Sequence, residues 1–446
     1  MSARAVAILA AALCALVPGG AGADSPRVVS LEECTAMALA HDPGLRSDVL
    51  ESAAAEARLS EMKGQYVPSV SVQAGYSRLS DVEPGSLTIP GVPVPVTFPS
   101  SPVNSTIVKL SVAQPLFTGL RISSSIRQAE ASRTAAGSDV QRTRAEVRYL
   151  AQAAFWQLAR AKSLEAAARE AQSQLERRLA DLKTRFDQGV ATSNDVLQAG
   201  TRLEDARIAT TQAAGARELA RIQLAQLIGI PPSQAFDVPD VPPGPSPDPA
   251  PGPGTGMDEL VSRALAARPE LGSARSRITA MEAAADVARA GRFPTVMLTG
   301  DYTLANPNQR VFPQQDAFTG TWSVGIVASF DVGRYPQVAA QEQQAADRTS
   351  QAREALQRQS DAVAADVMRA AVTLNTALAV YESLKAETSQ ADENARYVEE
   401  RFGQGVALPS ARLDAQSMLA VARLRELAGL ADCYIARAGL DRAQGD

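Results

Sequence analysis

Few residues in this chain are equipped for covalent or metal chemistry. His41 is the only histidine, which excludes a His-rich metal site and leaves little for His-based catalysis. Of three cysteines, Cys14 lies in an apolar N-terminal run, while Cys34 and Cys433 stand at opposite ends of the remaining chain. None forms a Cys-x-x-Cys pair, and no Gly-x-Ser-x-Gly elbow is present. Gly252-Pro253-Gly254-Thr255-Gly256 lacks the lysine of a phosphate-binding loop. No catalytic, cofactor or metal site is expected, and the chain reads as a non-enzyme. Its 44 basic and 49 acidic residues are interspersed, so there is no basic face for nucleic acid.

The elements around these residues form a long, Ala-rich, duplicated chain. Aromatic residues make up only 4% of the 446, which favours narrow helical seams over several globular cores. Residues 1–23 have the three parts of a secretory signal: Arg4, the apolar run Ala5 to Val17, and Ala21-Gly22-Ala23 before Asp24. Cys14 follows Leu13 inside that run and does not suit a lipoprotein cleavage box, so no lipid anchor is expected. No run of about 20 apolar residues lies beyond this segment.

An internal repeat organises the rest. Asp42-Pro43-Gly44-Leu45 recurs as Arg268-Pro269-Glu270-Leu271, and Val67-Pro68-Ser69 as Phe293-Pro294-Thr295. Pro115-Leu116-Phe117-Thr118-Gly119 corresponds to Ser329-Phe330-Asp331-Val332-Gly333. Arg185-Phe186-Asp187-Gln188-Gly189-Val190-Ala191 returns 216 residues later as Arg401-Phe402-Gly403-Gln404-Gly405-Val406-Ala407. The ordered register predicts two structural repeats, 24–230 and 257–446. Between them, 231–256 carries ten prolines and four glycines, so it is either a flexible linker or an extended strap lying on the helices.

Each repeat has the same expected order. A short helix opens at Ser30-Leu31-Glu32-Glu33, or at Thr255-Gly256-Met257-Asp258, in a capping-box pattern. A second helix starts at Asp42-Pro43, or at Pro269, and ends before Pro68 or Pro294. Alternating segments follow near 68–82, 105–117, 294–304 and 321–331. In them Val70, Val72 and Tyr76, or Trp322, Val324 and Ile326, face one way and small polar residues face the other. That pattern suits either transmembrane barrel strands or two-sided soluble hairpins. Segments 83–104 and 305–320 would be extracellular loops in the first case. Long proline-free helices are expected at 119–187 and 337–402. The first, at 1.5 Å per residue, spans roughly 100 Å, far more than a bilayer. Return helices follow near 193–228 and 409–440.

Four strands cannot close a barrel, and an open edge in lipid leaves backbone groups unpaired. Membrane strands would therefore require several chains: two give eight strands, three give twelve and room for water. The small polar inward residues favour three.

With these features the chain resembles the TolC family of outer-membrane efflux proteins over nearly all of 27–440. The carrying residues are the signal peptide, the duplication, the strands after Pro68 and Pro294, Gln114-Pro115-Leu116-Phe117-Thr118-Gly119, and the two Gln-Gly turns. The resemblance implies a mainly α fold with a small transmembrane β part. Its homotrimer would form a twelve-stranded barrel in outer-membrane lipid, four strands per chain, continuing into a long α-helical periplasmic barrel. It implies a Gram-negative outer-membrane exit duct for efflux or type I secretion, docked on a periplasmic adaptor and an inner-membrane transporter. A periplasmic coiled-coil scaffold without a channel is the alternative.

The resemblance also suggests roles for single residues. Asp414 matches an acidic position that narrows the periplasmic aperture, while Ala411 occupies its companion position. Asp195 matches the acceptor of a closing lock whose donor positions hold Phe402 and Ala407, so that lock is not expected. Gly189, Val190, Gly405 and Val406 are adaptor-docking candidates at the turns. Lys109 and Asp301 should face the lumen. Cys34 and Cys433 form a candidate disulfide near the middle of the helical part, and His41 is a helix-boundary residue.

Overall fold

The computed structural model describes residues 27–445, apart from 81–84, 88–89, 92, 94–95, 98–102, 232, 242–243, 245, 253, 313–314 and 405. The signal peptide expected at 1–23 and the turn residue Gly405 lie outside the described residues. In chain order the elements are β1 (Arg27–Val28), α1 (Leu31–His41), α2 (Pro43–Gly64), β2 (Ser69–Arg78), β3 (Ser86–Leu87) and β4 (Val96–Thr97). Next come β5 (Asn104–Phe117), α3 (Arg121–Asp187), α4 (Ser193–Ile228) and β6 (Phe236–Asp237). The second half holds α5 (Thr255–Ala267), α6 (Pro269–Arg289), β7 (Thr295–Asn306), β8 (Thr319–Ser329), α7 (Tyr335–Gly403) and α8 (Pro409–Gln444). The chain is mainly helical.

Local sequence accounts for most helix starts. Ser30 Oγ accepts from the Glu33 amide at 3.2 Å while Glu33 accepts from the Ser30 amide at 3.1 Å, a reciprocal capping box for α1. Asp42 Oδ1 accepts from the Leu45 amide at 2.6 Å, with Pro43 in the first turn of α2. The start of α5 differs from the capping box expected at Thr255. Gly254, with φ 129°, is the N-cap residue, and no side chain caps the helix. Thr255 already lies inside the helix, so its hydroxyl is out of position for the first free amides. At α6, Arg268 sends Nε to the Ala443 carbonyl at 2.8 Å, satisfying an end-of-helix acceptor of α8.

The chain divides into two compact units. One comprises the described residues up to His41, Leu150–Pro247 and Ala377–Ile435. It contains α1, α4, the C-terminal part of α3 and the facing parts of α7 and α8. Its core includes Phe155, Leu158, Leu203, Leu224 and Leu430, and the Trp156 and Tyr434 rings stack at 4.5 Å. A fully buried side chain of this size contributes about 1.5–3 kcal/mol, so a thin seam of them holds these helices together. β1 and β6 pair in parallel, which fixes Phe236 and Val238 in the core. Lys162 Nζ reaches Asp237 at 3.1 Å and the Val238 carbonyl at 3.0 Å, and Arg217 Nη1 reaches the buried Glu165 at 3.1 Å.

The other unit comprises Asp42–Tyr149, Asp248–Thr376 and the chain from Ala436 onward. Here α2, α6 and the first parts of α3 and α7 pack around Leu59, Ile122, Leu271 and Val367. Arg127–Asp286 at 2.9 Å and Arg277–Asp139 at 2.7 Å tie α3 to α6. The Ala250 backbone exchanges two hydrogen bonds with the Asn375 side chain, at 3.0 and 3.2 Å. A stretch running from the 3-10 turn at 332 through α7 has one window apolar enough, by composition, to cross a membrane. In α7, Val363, Val367, Ala371 and Leu374 are buried, so part of the helix's apolar character serves packing.

In the same unit the four longer strands form one antiparallel sheet in the order β2-β5-β7-β8. β5 pairs with β7, so the strand pairs of the two halves join in the middle of the sheet. β2 and β8 are its edges.

Candidate functional site

The sheet separates side chains by parity. Register places Val72 opposite Leu110, Leu110 opposite Tyr302, and Tyr302 opposite Trp322, so one apolar row crosses all four strands. Val70 with Val112, and Leu298 with Ile326, extend the same face. These side chains are exposed: Val72 is 70% exposed, Trp322 73% and Ile326 66%. A monomer rarely leaves so continuous an apolar surface open to water, which marks this face as one that meets lipid or protein. Successive residues of a strand point to opposite faces, so the other face carries Ser71, Gln73, Ser111, Thr299 and Ser323. It also carries Lys109 and Asp301, whose Nζ and Oδ1 lie 3.0 Å apart. Ser111 Oγ donates to the same oxygen at 2.7 Å.

At the first hairpin tip, α3 ends in a Schellman turn. Gly189 has φ 76°, its amide bonds to the Phe186 carbonyl at 2.8 Å, and the Val190 amide returns to the Arg185 carbonyl at 2.8 Å. Glycine at the left-handed position avoids the Cβ clash that other residues would suffer. At the second tip the Val406 amide bonds to the Arg401 carbonyl at 3.0 Å. Val190 is 75% exposed and Val406 61%, so both tips present an apolar side chain to their surroundings.

The first return helix starts with a side-chain cap. Thr192 and Asp195 form a complete capping box at α4, with the Asp195 carboxylate accepting from the Thr192 amide at 3.0 Å and its hydroxyl at 2.7 Å. Those bonds hold Asp195 below the usual carboxylate range. Its carboxylate is therefore engaged locally at the helix start. Asp414 accepts from Gln174 Nε2 at 3.1 Å and lies 3.8 Å from Arg178 Nη1, within a cleft of about 310 Å³ lined also by Arg185 and Leu413. Instead of a bare carboxylate, this position holds a carboxylate with a cation beside it. Sequence reasoning missed Gln174 and Arg178 because they are more than 230 residues away in the chain.

The candidate disulfide between Cys34 and Cys433 is not formed: both are free, buried thiols. Cys34 Sγ points to the Ala151 carbonyl at 3.9 Å. Burial pushes Cys34 up to about 12 and Cys433 up to about 11, which keeps both protonated and inert. His41 closes α1 and packs against Gly229, where the imidazole leaves no room for a Cβ. Among the described residues, no group of His, Cys, Asp and Glu is placed to hold a metal ion.

Known proteins resemble this chain in sequence and in fold. The chain is 29% identical over 290 residues to Protein CyaE of Bordetella pertussis, a match covering 64% of this chain and 56% of that protein. The chain thus aligns with little more than half the length of this curated relative. Among solved structures, the outer-membrane channel OprN superimposes with a TM-score of 0.71 at 22% identity, covering 93% of this chain and 89% of that one. The Campylobacter jejuni CmeC outer membrane channel gives 0.71 at 17% identity, with 93% and 85% covered. At these identities the structural likeness establishes the fold. The family of outer membrane efflux proteins matches residues 35–230 and 260–446, most of the chain, and the chain belongs to that family.

Proposed function

We propose that this chain is an outer-membrane exit duct, carrying substrates outward in a tripartite efflux or type I secretion system. The observation that carries the reading is the four-stranded sheet, with an exposed apolar row on one face, small polar residues on the other, and edges at β2 and β8. In lipid an unpaired edge costs several kcal/mol per backbone group, so β8 of one copy must meet β2 of the next. Three copies give a twelve-stranded barrel with a wet interior, and two give eight strands whose interior side chains would fill. The small inner residues favour the trimer, and the sequence duplication explains why each copy supplies two similar strand pairs.

The long helices would then continue as a periplasmic helical barrel. Gly189, Val190, Gly405 and Val406 at the tips would meet a periplasmic adaptor bound to an inner-membrane transporter. Asp414 and Asp195 would stand near the periplasmic aperture. The segment 231–256 would strap the two repeats, 24–230 and 257–446.

Expression in a Gram-negative host, followed by outer-membrane fractionation and bilayer conductance of the purified protein, tests this directly. Stepwise conductance from outer-membrane material is the expected result. Recovery wholly in the soluble periplasm would overturn it and favour the scaffold alternative.

A further inference from the structure

Among the described strand residues, the polar face of the sheet carries two charged side chains, Lys109 on β5 and Asp301 on β7. Register sets Ser111 opposite Asp301 and Lys109 opposite Thr303, so the pair lies diagonally across the strands that join the two halves of the chain. The amine and carboxylate are 3.0 Å apart, and both are partly exposed. A third charge borders them. Arg310, in the connection between β7 and β8, shares a cleft of about 430 Å³ with Lys109 and Asp301, and donates to the Trp322 carbonyl at 3.2 Å. One carboxylate therefore faces two cations.

Opposite charges this close act on a passing ion as a dipole, and salt screens their field within about 8 Å. A single unopposed charge acts over a longer range, and a ring of such charges selects ions. We propose that Asp301 sets the charge selectivity of the strand-lined passage: it offsets Lys109 and moderates Arg310, so the wall neither draws in nor repels a charged solute strongly. This rests on the reading of the sheet as the wall of an outer-membrane channel. The surrounding Ser and Thr side chains have no charge with which to compensate for its loss.

The test is the cation-to-anion permeability ratio of purified protein in planar bilayers under a potassium chloride gradient. Asp301→Asn, which leaves two cations per chain, should shift the ratio toward anions by about threefold or more, and Lys109→Gln should shift it toward cations by a smaller factor because Arg310 remains. Asp301→Glu should keep the wild-type ratio. An Asp301→Asn channel with the wild-type ratio overturns the proposal, as does an Asp301→Glu channel that behaves like Asp301→Asn. If Asp301→Asn does not insert, Lys109→Gln decides: a cation shift supports the proposal and an unchanged ratio overturns it. Wild-type protein with no conductance removes the channel wall, and the proposal with it.

Discussion

Arg412 Nε and Glu399 Oε2 lie 2.5 Å apart near the end of the α7–α8 hairpin, and the Arg412 guanidinium sits 4.9 Å above the Phe402 ring. The positions 216 residues earlier are Lys183, Phe186 and Val196, which keep the ring and lose the ion pair. The two hairpins are thus fastened by different chemistry: a capping box at Thr192 and Asp195 in the first, an arginine clasp in the second. An exposed ion pair and an exposed cation–π contact together contribute about 1 kcal/mol. Arg412→Ala should speed amide exchange in the last turn of α7 by about fivefold and leave the first hairpin unchanged. Equal exchange in both proteins would show the clasp to be idle.

The first hairpin should respond to acid through Asp195. Its bonds to the Thr192 amide and hydroxyl lower its folded-state pKa below the ordinary value. A depressed carboxylate stabilises the folded state above the unfolded pKa, and that contribution disappears as the pH falls through the folded value. The protection of the amides at the start of α4, measured against their intrinsic exchange rates at each pH, should therefore fall once the pH drops below the usual aspartate range of about 4. Asp195→Asn should already exchange faster at neutral pH and lose the acid dependence. Matching pH profiles for the two proteins would contradict the capping role.

What the sequence made legible is what local physics decides. Asp42 before Pro43, the Ser30–Glu33 box and the Gln188-Gly189-Val190 turn are readable because a cap or a left-handed turn is a matter of a few neighbouring residues. The sheet's two faces are readable because side chains alternate along a strand, as Val70, Val72 and Tyr76 do. The resemblance to outer-membrane efflux proteins rested in part on the strands after Pro68 and Pro294, the Gln114–Gly119 stretch and the Gln-Gly turns, which lie within the matched residues 35–230 and 260–446. Contacts between distant segments were not readable. The Gln174 and Arg178 partners of Asp414, and the Arg127–Asp286 tie, have no local signal in the chain. Cys34 and Cys433 looked pairable because an oxidising compartment permits it, whereas both are free and buried and Cys34 Sγ points to the Ala151 carbonyl. Thr255-x-x-Asp258 matched a cap pattern that the backbone entering through Gly254 does not use.

The two thiols supply a chemical check. Both are buried and free, with pKa values raised to about 12 for Cys34 and about 11 for Cys433. Folded protein lacking residues 1–23, and with them Cys14, should be nearly unreactive toward a thiol reagent at pH 8, and denatured it should titrate two thiols with or without reductant. Because the folded values lie above the unfolded one, their contribution is complete at neutral pH and declines as the pH rises from about 9 toward 12. Titration of two thiols only after reduction would restore the disulfide.

At Asp414, the neighbouring arginine sets the direction of the expected effect. Asp414→Ala would leave Arg178 without its carboxylate and Gln174 without its acceptor, in a cleft that Arg185 also lines. If this cleft borders the aperture, the variant channel should pass anions more readily than wild type, by roughly twofold in permeability ratio. Asp414→Asn should keep the Gln174 bond and show the same shift, separating charge from packing. No shift in either variant would place Asp414 outside the conducting path.

Trp322 reports on the apolar face. The chain has two tryptophans: Trp156, stacked on Tyr434, and Trp322, 73% exposed on the apolar row of the sheet. An indole of this kind favours a membrane boundary, where its ring is apolar and its N–H can still reach a polar partner. In vesicles of brominated lipid, wild-type emission should be partly quenched, because only one of the two rings touches acyl chains. Trp322→Phe should abolish that quenching and leave Trp156 emission unchanged. Replacing one aromatic side chain by another at an exposed position should leave thermal stability within about 0.5 kcal/mol, so loss of quenching would not come from unfolding. Quenching that persists in Trp322→Phe would mean that the lipid contacts the helical part instead, and that the sheet's apolar row is covered by protein.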